Sequence, residues 1–84
     1  MALSIKVKGI YPLDNMLLRV VFVNGVTKIY DVKPLLNKFD IFTPLKDTVL
    51  FNCVYVDCGG YSIAWNNDID ISEVELWENG ITLK

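Results

Sequence analysis

Two short runs of β-branched and aromatic residues, separated by Asn24-Gly25, form the clearest pattern of apolar and polar positions in the chain. Asn-Gly readily supplies two successive positive φ angles, so the pattern predicts a β-hairpin with a two-residue type I′ turn. In that register Val20 pairs with Ile29. The side of the hairpin that faces the core is then expected to carry Leu18, Val20, Phe22 and Ile29.

The opposite side of this hairpin is more apolar than one solvated face of a sheet requires. It is expected to carry Arg19 and Lys28 together with several apolar side chains. A large exposed apolar area on a small protein usually marks a binding surface. The predicted protein-interaction residues are Leu17, Val21, Val23, Val26 and Tyr30.

The segments on either side of the hairpin show weaker signals. Residues 3–8 alternate, with Leu3, Ile5 and Val7 on one side, and predict a half-buried strand. Asp31 is expected to accept a hydrogen bond from the amide of Lys33 and so to begin a short helix. Residues 43–47 predict one helical turn or a tight loop.

A second hairpin is predicted from residues 51–57 and 61–65, with Gly59-Gly60 as its loop. The expected core face pairs Val56 with Ile63, Val54 with Trp65 and Cys58 with Tyr61. The other face is expected to carry Tyr55, Asp57, Ser62 and Ala64.

The C-terminal part predicts a turn followed by a helix. Asn and Asp favour turns, and they occupy residues 66–68. Ser72 and Glu75 form a capping box for a helix of about two turns, in which Val74 and Trp77 are expected to dock on the sheet. The pattern leaves residues 81–83 open, either as a short strand or as a loosely held tail.

The order of these elements predicts an α+β fold, β-β-β-α-β-β-α, with an antiparallel sheet and two short helices packed on it. The 84 residues are expected to form a single domain, 1–84. Nothing resembles a signal peptide or a membrane span, so no membrane contact is expected. Cys53 and Cys58 on one extended segment would point to opposite faces, and both are therefore expected to be reduced, as in a cytoplasmic protein.

Charge and residue chemistry argue against several classes of function. The net charge is −2, which makes nucleic-acid binding by this domain unlikely. Residues 57–84 contain six acids and only Lys84 as a base, and this acidic third is either a solvated face or an attraction for a basic partner. The chain contains no histidine, and no general base that could activate Cys53 is identifiable. We therefore expect no enzymatic activity and no cofactor.

A hard-cation site is the remaining chemical possibility. Asp68, Asp70, Glu73 and Glu75 supply the oxygen ligands that magnesium and calcium prefer. Their spacing does not match an EF-hand loop. Turn formation by Asp70 and helix capping by the two glutamates explain these residues more simply, so no metal site is predicted.

An ordered set of residues nevertheless resembles a known family. It includes Asn24-Gly25, then Tyr30-Asp31-Val32 with Pro34-Leu35-Leu36, then Pro44-Leu45-Lys46-Asp47, and finally Trp65, Asn67 and Asp70-Ile71. Over roughly residues 5–77 the chain resembles the small bacterial domain of unknown function 2442. The resemblance implies the same element order. It also implies two settings, one before a helix-turn-helix domain and one beside a small partner protein in a toxin–antitoxin pair.

Two hypotheses follow. The chain shows no helix-turn-helix pattern, so the first is a non-enzymatic, cytoplasmic interaction module, an antitoxin-like partner of a small bacterial protein. The alternative is a sensory or dimerising domain associated with a transcription regulator, which self-associates through the same apolar face.

Overall fold

The computed structural model describes residues 5–83 and contains two antiparallel sheets. The first sheet has the order β1-β2-β3-β7. Its strands are Val7–Pro12 (β1), Leu17–Phe22 (β2), Thr27–Asp31 (β3) and Ile81–Thr82 (β7). The second sheet has the order β4-β5-β6, and its strands are Tyr55–Asp57 (β4), Ser62–Ala64 (β5) and Asp70–Ser72 (β6).

Short helices connect and cover these sheets. The α-helices are Lys33–Lys38 (α1), Thr48–Phe51 (α2) and Glu73–Asn79 (α3), and a 3₁₀ segment spans Asp40–Lys46. The α+β class is confirmed, while the single predicted sheet is in fact two. The pattern of apolar and polar residues did not reveal this division, because β6 has only three residues and β7 only two.

The central hairpin turns through three residues, Val23, Asn24 and Gly25, and not through two. The Phe22 amide donates to the carbonyl of Val26 at 2.9 Å. Of the three loop residues, only Gly25 has a positive φ, +88°. A three-residue loop of this kind ends in a residue with left-handed backbone, and Gly at that position supplies it. The predicted type I′ turn is therefore wrong.

The longer loop shifts the strand register by one residue. Val20 pairs with Lys28, and Arg19 pairs with Ile29. Because side chains alternate along a strand, this shift reverses the predicted faces of β3. Leu18, Val20 and Phe22 are buried as predicted, whereas Ile29 lies on the outer side and Tyr30 on the inner side.

The first strand begins later than predicted. Leu3 lies outside the described residues, and β1 starts at Val7 and continues through Gly9 to Pro12. The register between β1 and β2 shifts between Val7 and Gly9, which is a β-bulge. The bulge explains how a strand passes through a glycine that the sequence pattern treats as a break.

The second hairpin has the predicted register, since Val56 pairs with Ile63. Its loop is longer than two residues: Cys58 also has a positive φ, and Cys58 and Tyr61 are exposed, not buried. Ser62 and Ala64 are buried, contrary to prediction. All three residues of β5 are buried, since this strand is the central one of its sheet and also contacts β1.

Local capping signals are mostly confirmed. Asp31 accepts a hydrogen bond from the Lys33 amide at 3.0 Å, and Asn66 accepts from the amides of residues 68 and 69. The Ser72 hydroxyl accepts from the Glu75 amide at 3.2 Å, but the Glu75 carboxylate binds elsewhere. Val74 is exposed, contrary to prediction, whereas Trp77 packs against the core beside Phe22 as predicted, and Leu76 is fully buried.

Candidate interaction surface

The outer side of the four-stranded sheet carries a row of side chains that crosses all four strands. Arg19 pairs with Tyr11 on one side and with Ile29 on the other, and Ile29 pairs in turn with Ile81. A second row contains Val21 opposite Thr27, and the Leu83 amide donates to the Thr27 carbonyl at 2.9 Å. We call the outer sheet surface formed by these two rows the open face; it comprises Tyr11, Arg19, Val21, Thr27, Ile29, Ile81 and Leu83.

The open face is apolar and accessible to solvent. Ile81 is 74 % exposed, Leu83 51 % and Tyr11 46 %, while Val21 and Ile29 are half-buried. A shallow depression of about 630 Å³ lies at one end of the open face, where Arg19, Val21, Thr27 and Leu83 line it together with residues of the hairpin loop. The helix α3 and the core cluster pack on the other side of the sheet. One side of the sheet is thus closed by the core, and the other side presents aliphatic groups to water.

Arg19 is the one charged residue near the middle of the open face. Its guanidinium lies over the Tyr11 ring, 4.8 Å from the centroid, in a cation–π contact. Within residues 5–83 no carboxylate lies within salt-bridge distance of it. The carboxylate at the margin of the sheet, Asp31, instead pairs with the Lys33 ammonium at 2.9 Å.

The predicted interaction residues divide between several places. Leu17 and Val21 lie on the outer side of β2 and are half-buried. Val23 is exposed in the hairpin loop, and Val26 is half-buried where the loop returns to β3. The placement of Tyr30 on this surface is wrong, because Tyr30 is only 3 % exposed and belongs to the core.

The structure adds five residues that the sequence pattern did not place on this surface. Thr27 and Ile29 arrive there through the register shift, and Tyr11 through the extension of β1 beyond Gly9. Ile81 and Leu83 join because residues 81–83 pair with β3 and are not a loose tail. The apolar alternation of Ile81 and Leu83 was the available signal.

Tyr30 helps to fix α3 against the inner side of the sheet. Its hydroxyl donates a hydrogen bond to the Glu75 carboxylate at 2.7 Å. Burial raises the pKa of Tyr30 above its usual range, and the hydrogen bond and the negative charges of Glu75 and Asp31 raise it further. Tyr30 is therefore a neutral hydrogen-bond donor at physiological pH, and its bond to Glu75 holds α3 against the sheet.

Lys28 is the second inward polar residue of β3. It is buried, its ammonium lies 4.1 Å from the centroid of the Trp77 ring, and it donates to the Trp77 carbonyl. A cation near the last carbonyls of a helix is favourable, because these carbonyls lack partners within the helix. Lys28 thus holds α3 in place and is not available to the open face.

The open face carries aliphatic side chains, one phenol and one guanidinium, and a guanidinium does not lose its proton in proteins. Within the described part of the chain, no three His, Cys, Asp or Glu side chains are grouped so that they could hold a metal ion. Cys53 and Cys58 are free and exposed, whereas Cys58 was predicted on the core face of the second hairpin.

Comparison with known proteins identifies a family. Residues 7–82 match the model of a family described as "Protein of unknown function (DUF2442)". The chain belongs to this DUF2442 family. The resemblance seen in the sequence is thereby confirmed, and the match runs from β1 to β7, so it includes every strand of the open face.

The other comparisons give no further relatives of this DUF2442 chain. No curated protein and no solved structure matches it significantly. No helix in the described residues is long and apolar enough to span a membrane.

Proposed function

We propose that this DUF2442 chain is a non-enzymatic protein-interaction module and that its contact surface is the open face. The observation that carries the proposal is the row of side chains across all four strands, which ends in an Ile81 that is 74 % exposed. Covering an isoleucine or leucine side chain contributes roughly 1.5–3 kcal/mol. A partner that covers Ile81, Leu83 and Val21 together therefore gains a substantial part of its binding free energy from them.

The composition of the open face also supports this proposal. Tyrosine and arginine are enriched among the interface residues that contribute most to binding free energy. Their contribution is largest where apolar neighbours exclude water from them. Tyr11 and Arg19 form such a pair, with aliphatic side chains on the adjoining strands. The open face thus combines a central polar anchor with an apolar surround.

The more specific form of the proposal is an antitoxin-like role in the bacterial cytoplasm, with a small bacterial protein as partner. It rests on the family resemblance and on the two exposed, unpaired cysteines, which suit a reducing compartment. The partner would cover the open face, on the opposite side of the sheet from α3.

Self-association is the second candidate, in the form of a dimerising domain associated with a transcription regulator. It is favoured by β7, which lies at the edge of its sheet and is exposed. An apolar edge strand can pair with the same strand of a second copy. The two candidates differ in what lies next to Ile81, and one experiment separates them.

The experiment places a photo-activated cross-linking amino acid at position 81 in the chain expressed in its own cells. The matched control carries the same group at position 49, because Val49 is 75 % exposed but lies on α2, away from the open face. We expect position 81 to form an adduct with one other protein and position 49 to form none with it. The partner is then purified and titrated with Ile81→Asp and Val49→Asp variants, and only the first is expected to weaken binding, by about tenfold or more.

An adduct between two copies at position 81 would favour the dimerising candidate. Equal adducts from both positions, or equal binding by both variants, would contradict a role for the open face. Both substitutions are at highly exposed side chains, so neither is expected to unfold the chain.

A further inference from the structure

We infer that the Tyr11–Arg19 pair is a recognition site for a carboxylate side chain, so that the partner covers the open face with an apolar segment containing Asp or Glu. This inference rests on the proposed function and names the chemistry of its partner. The pair lies in the row that crosses the sheet, with Arg19 flanked by Tyr11 and Ile29. Arg19 thus lies on an inner strand of the sheet, and Tyr11 lies beside it on the edge strand β1.

The guanidinium of Arg19 has unused hydrogen-bonding capacity. Arg19 Cζ lies 4.8 Å from the centroid of the Tyr11 ring, and a guanidinium has five N–H donors in one plane. In the part of the chain that the structure describes, the Arg19 guanidinium forms no salt bridge and donates no hydrogen bond. Asp31 does not compete for it, because the Asp31 carboxylate binds both the ammonium and the amide of Lys33.

Covering the open face would make an anion necessary. A partner that buries Ile81 and Leu83 also removes water from Arg19, and an unpaired buried charge is strongly unfavourable. A carboxylate that forms two parallel hydrogen bonds to the guanidinium compensates for the lost water, and its geometry matches the planar fork. The contact with the Tyr11 ring restrains the guanidinium before the partner binds, which lowers the entropy cost of its bond to the carboxylate.

A second copy of this chain is a poorer occupant of the same surface. The four strands have six, six, five and two residues, and at about 3.3 Å per residue and 4.8 Å between strands they give a footprint of roughly 300 Å². A standard interface buries about 800 Å² on each partner. Two open faces stacked about a two-fold axis would also bring both Arg19 guanidinium groups close together without a carboxylate, which is unfavourable.

A nucleic-acid strand is also less favoured than a protein segment. Proteins that bind single strands offer several stacked aromatic rings along a basic groove. The open face has one aromatic ring, Tyr11, and the chain has a net charge of −2. A single guanidinium among aliphatic groups matches one carboxylate in an apolar segment better than a repeating phosphate backbone.

The test is selection from a displayed library of random peptides on the purified, folded chain. We expect the enriched peptides to carry Asp or Glu between apolar residues and to shift the NMR signals of Val21, Ile29 and Ile81. A synthetic peptide from the selection is expected to lose at least about tenfold in affinity for an Arg19→Gln variant. Replacing the Asp or Glu of the peptide by Asn or Gln is expected to cause a similar loss. When both changes are combined, the loss in affinity is expected to be smaller than the sum of the two.

Lys46→Gln is the matched control, because Lys46 is exposed at the end of the 3₁₀ segment and its replacement removes the same charge. Its affinity for the peptide is expected to change less than twofold. Arg19→Lys keeps the charge but not the planar fork, and an intermediate loss is expected.

The remaining outcomes are distinguishable. Peptides that bind the open face without acidic residues would overturn the carboxylate inference and leave the proposed function standing. Peptides that shift only signals elsewhere, or a library that yields no binder, would count against both. A single-stranded thymidine oligonucleotide that shifts the same NMR signals and binds more tightly than the peptide would indicate a phosphate as the ligand of Arg19. That result would overturn the inference.

Discussion

At the scale of single residues, Ile29 and Tyr30 decide which side of β3 faces the core. Both are apolar enough for either side, so the alternation of the sequence did not distinguish them. The Tyr30 hydroxyl can be buried because the Glu75 carboxylate, 45 positions later, accepts its hydrogen bond. A contact over that separation has no local sequence signal. The Asp31 and Ser72 caps were predictable because donor and acceptor are two or three residues apart.

Tyr30 gives a prediction for stability at alkaline pH. Its raised folded-state pKa means that the folded chain keeps a proton that the unfolded chain loses above roughly pH 10. The contribution of Tyr30 to the free energy of unfolding is therefore complete below that pH and decreases as the pH rises above it. We expect Tyr30→Phe to destabilise the chain by about 1 kcal/mol at neutral pH, and this difference from the native chain to shrink at alkaline pH.

Urea unfolding of both chains at several pH values measures this difference. The ultraviolet absorbance of tyrosinate provides a second observation, since Tyr30→Phe removes the last tyrosine to ionise. A difference in stability that stays constant up to strongly alkaline pH would contradict the account of Tyr30.

At the scale of elements, the sequence predicted both hairpins, but the predicted register was correct only for the second one. Asn24-Gly25 is compatible with a two-residue turn and with the last two positions of a three-residue loop, and at Asn24 itself the two geometries differ in the sign of φ. The register of the second hairpin was independent of its loop details, because Val56 and Ile63 pair in either geometry. The strands β6 and β7 were missed or left open because two or three residues show no periodicity.

The two turn geometries predict different effects of substitution. In the three-residue loop, Ala at Gly25 must adopt a φ near +88°, which is expected to cost about 1–2 kcal/mol, although no atom obstructs the added methyl group. Asn24→Ala loses only an exposed hydrogen bond to the Val26 amide and is expected to cost less than about 1 kcal/mol. Thermal or urea unfolding of the two variants tests this; equal, large losses for both would instead indicate a type I′ turn.

At the scale of the whole molecule, the open face assembles from residues that are far apart in the sequence. Tyr11, Arg19, Ile29 and Ile81 become neighbours only when β1 and β7 pair with the two sides of the central hairpin. The sequence predicted that the hairpin has one apolar side without a partner, and Leu17 and Val21 were placed there correctly. It could not supply the contributions of β1 and β7, because these depend on a bulge and on a long-range strand pairing.

The exposure of the four isoleucine methyl groups at positions 29, 81, 63 and 71 tests this arrangement most directly. A soluble paramagnetic chelate broadens NMR signals of groups that reach the surface. The account predicts strong broadening for Ile81 and measurable broadening for Ile29, with Ile63 and Ile71 protected in the core. It also predicts nuclear Overhauser contacts between Ile29 and Ile81. An Ile29 methyl as protected as that of Ile63, without contacts to Ile81, would contradict the register and remove the open face.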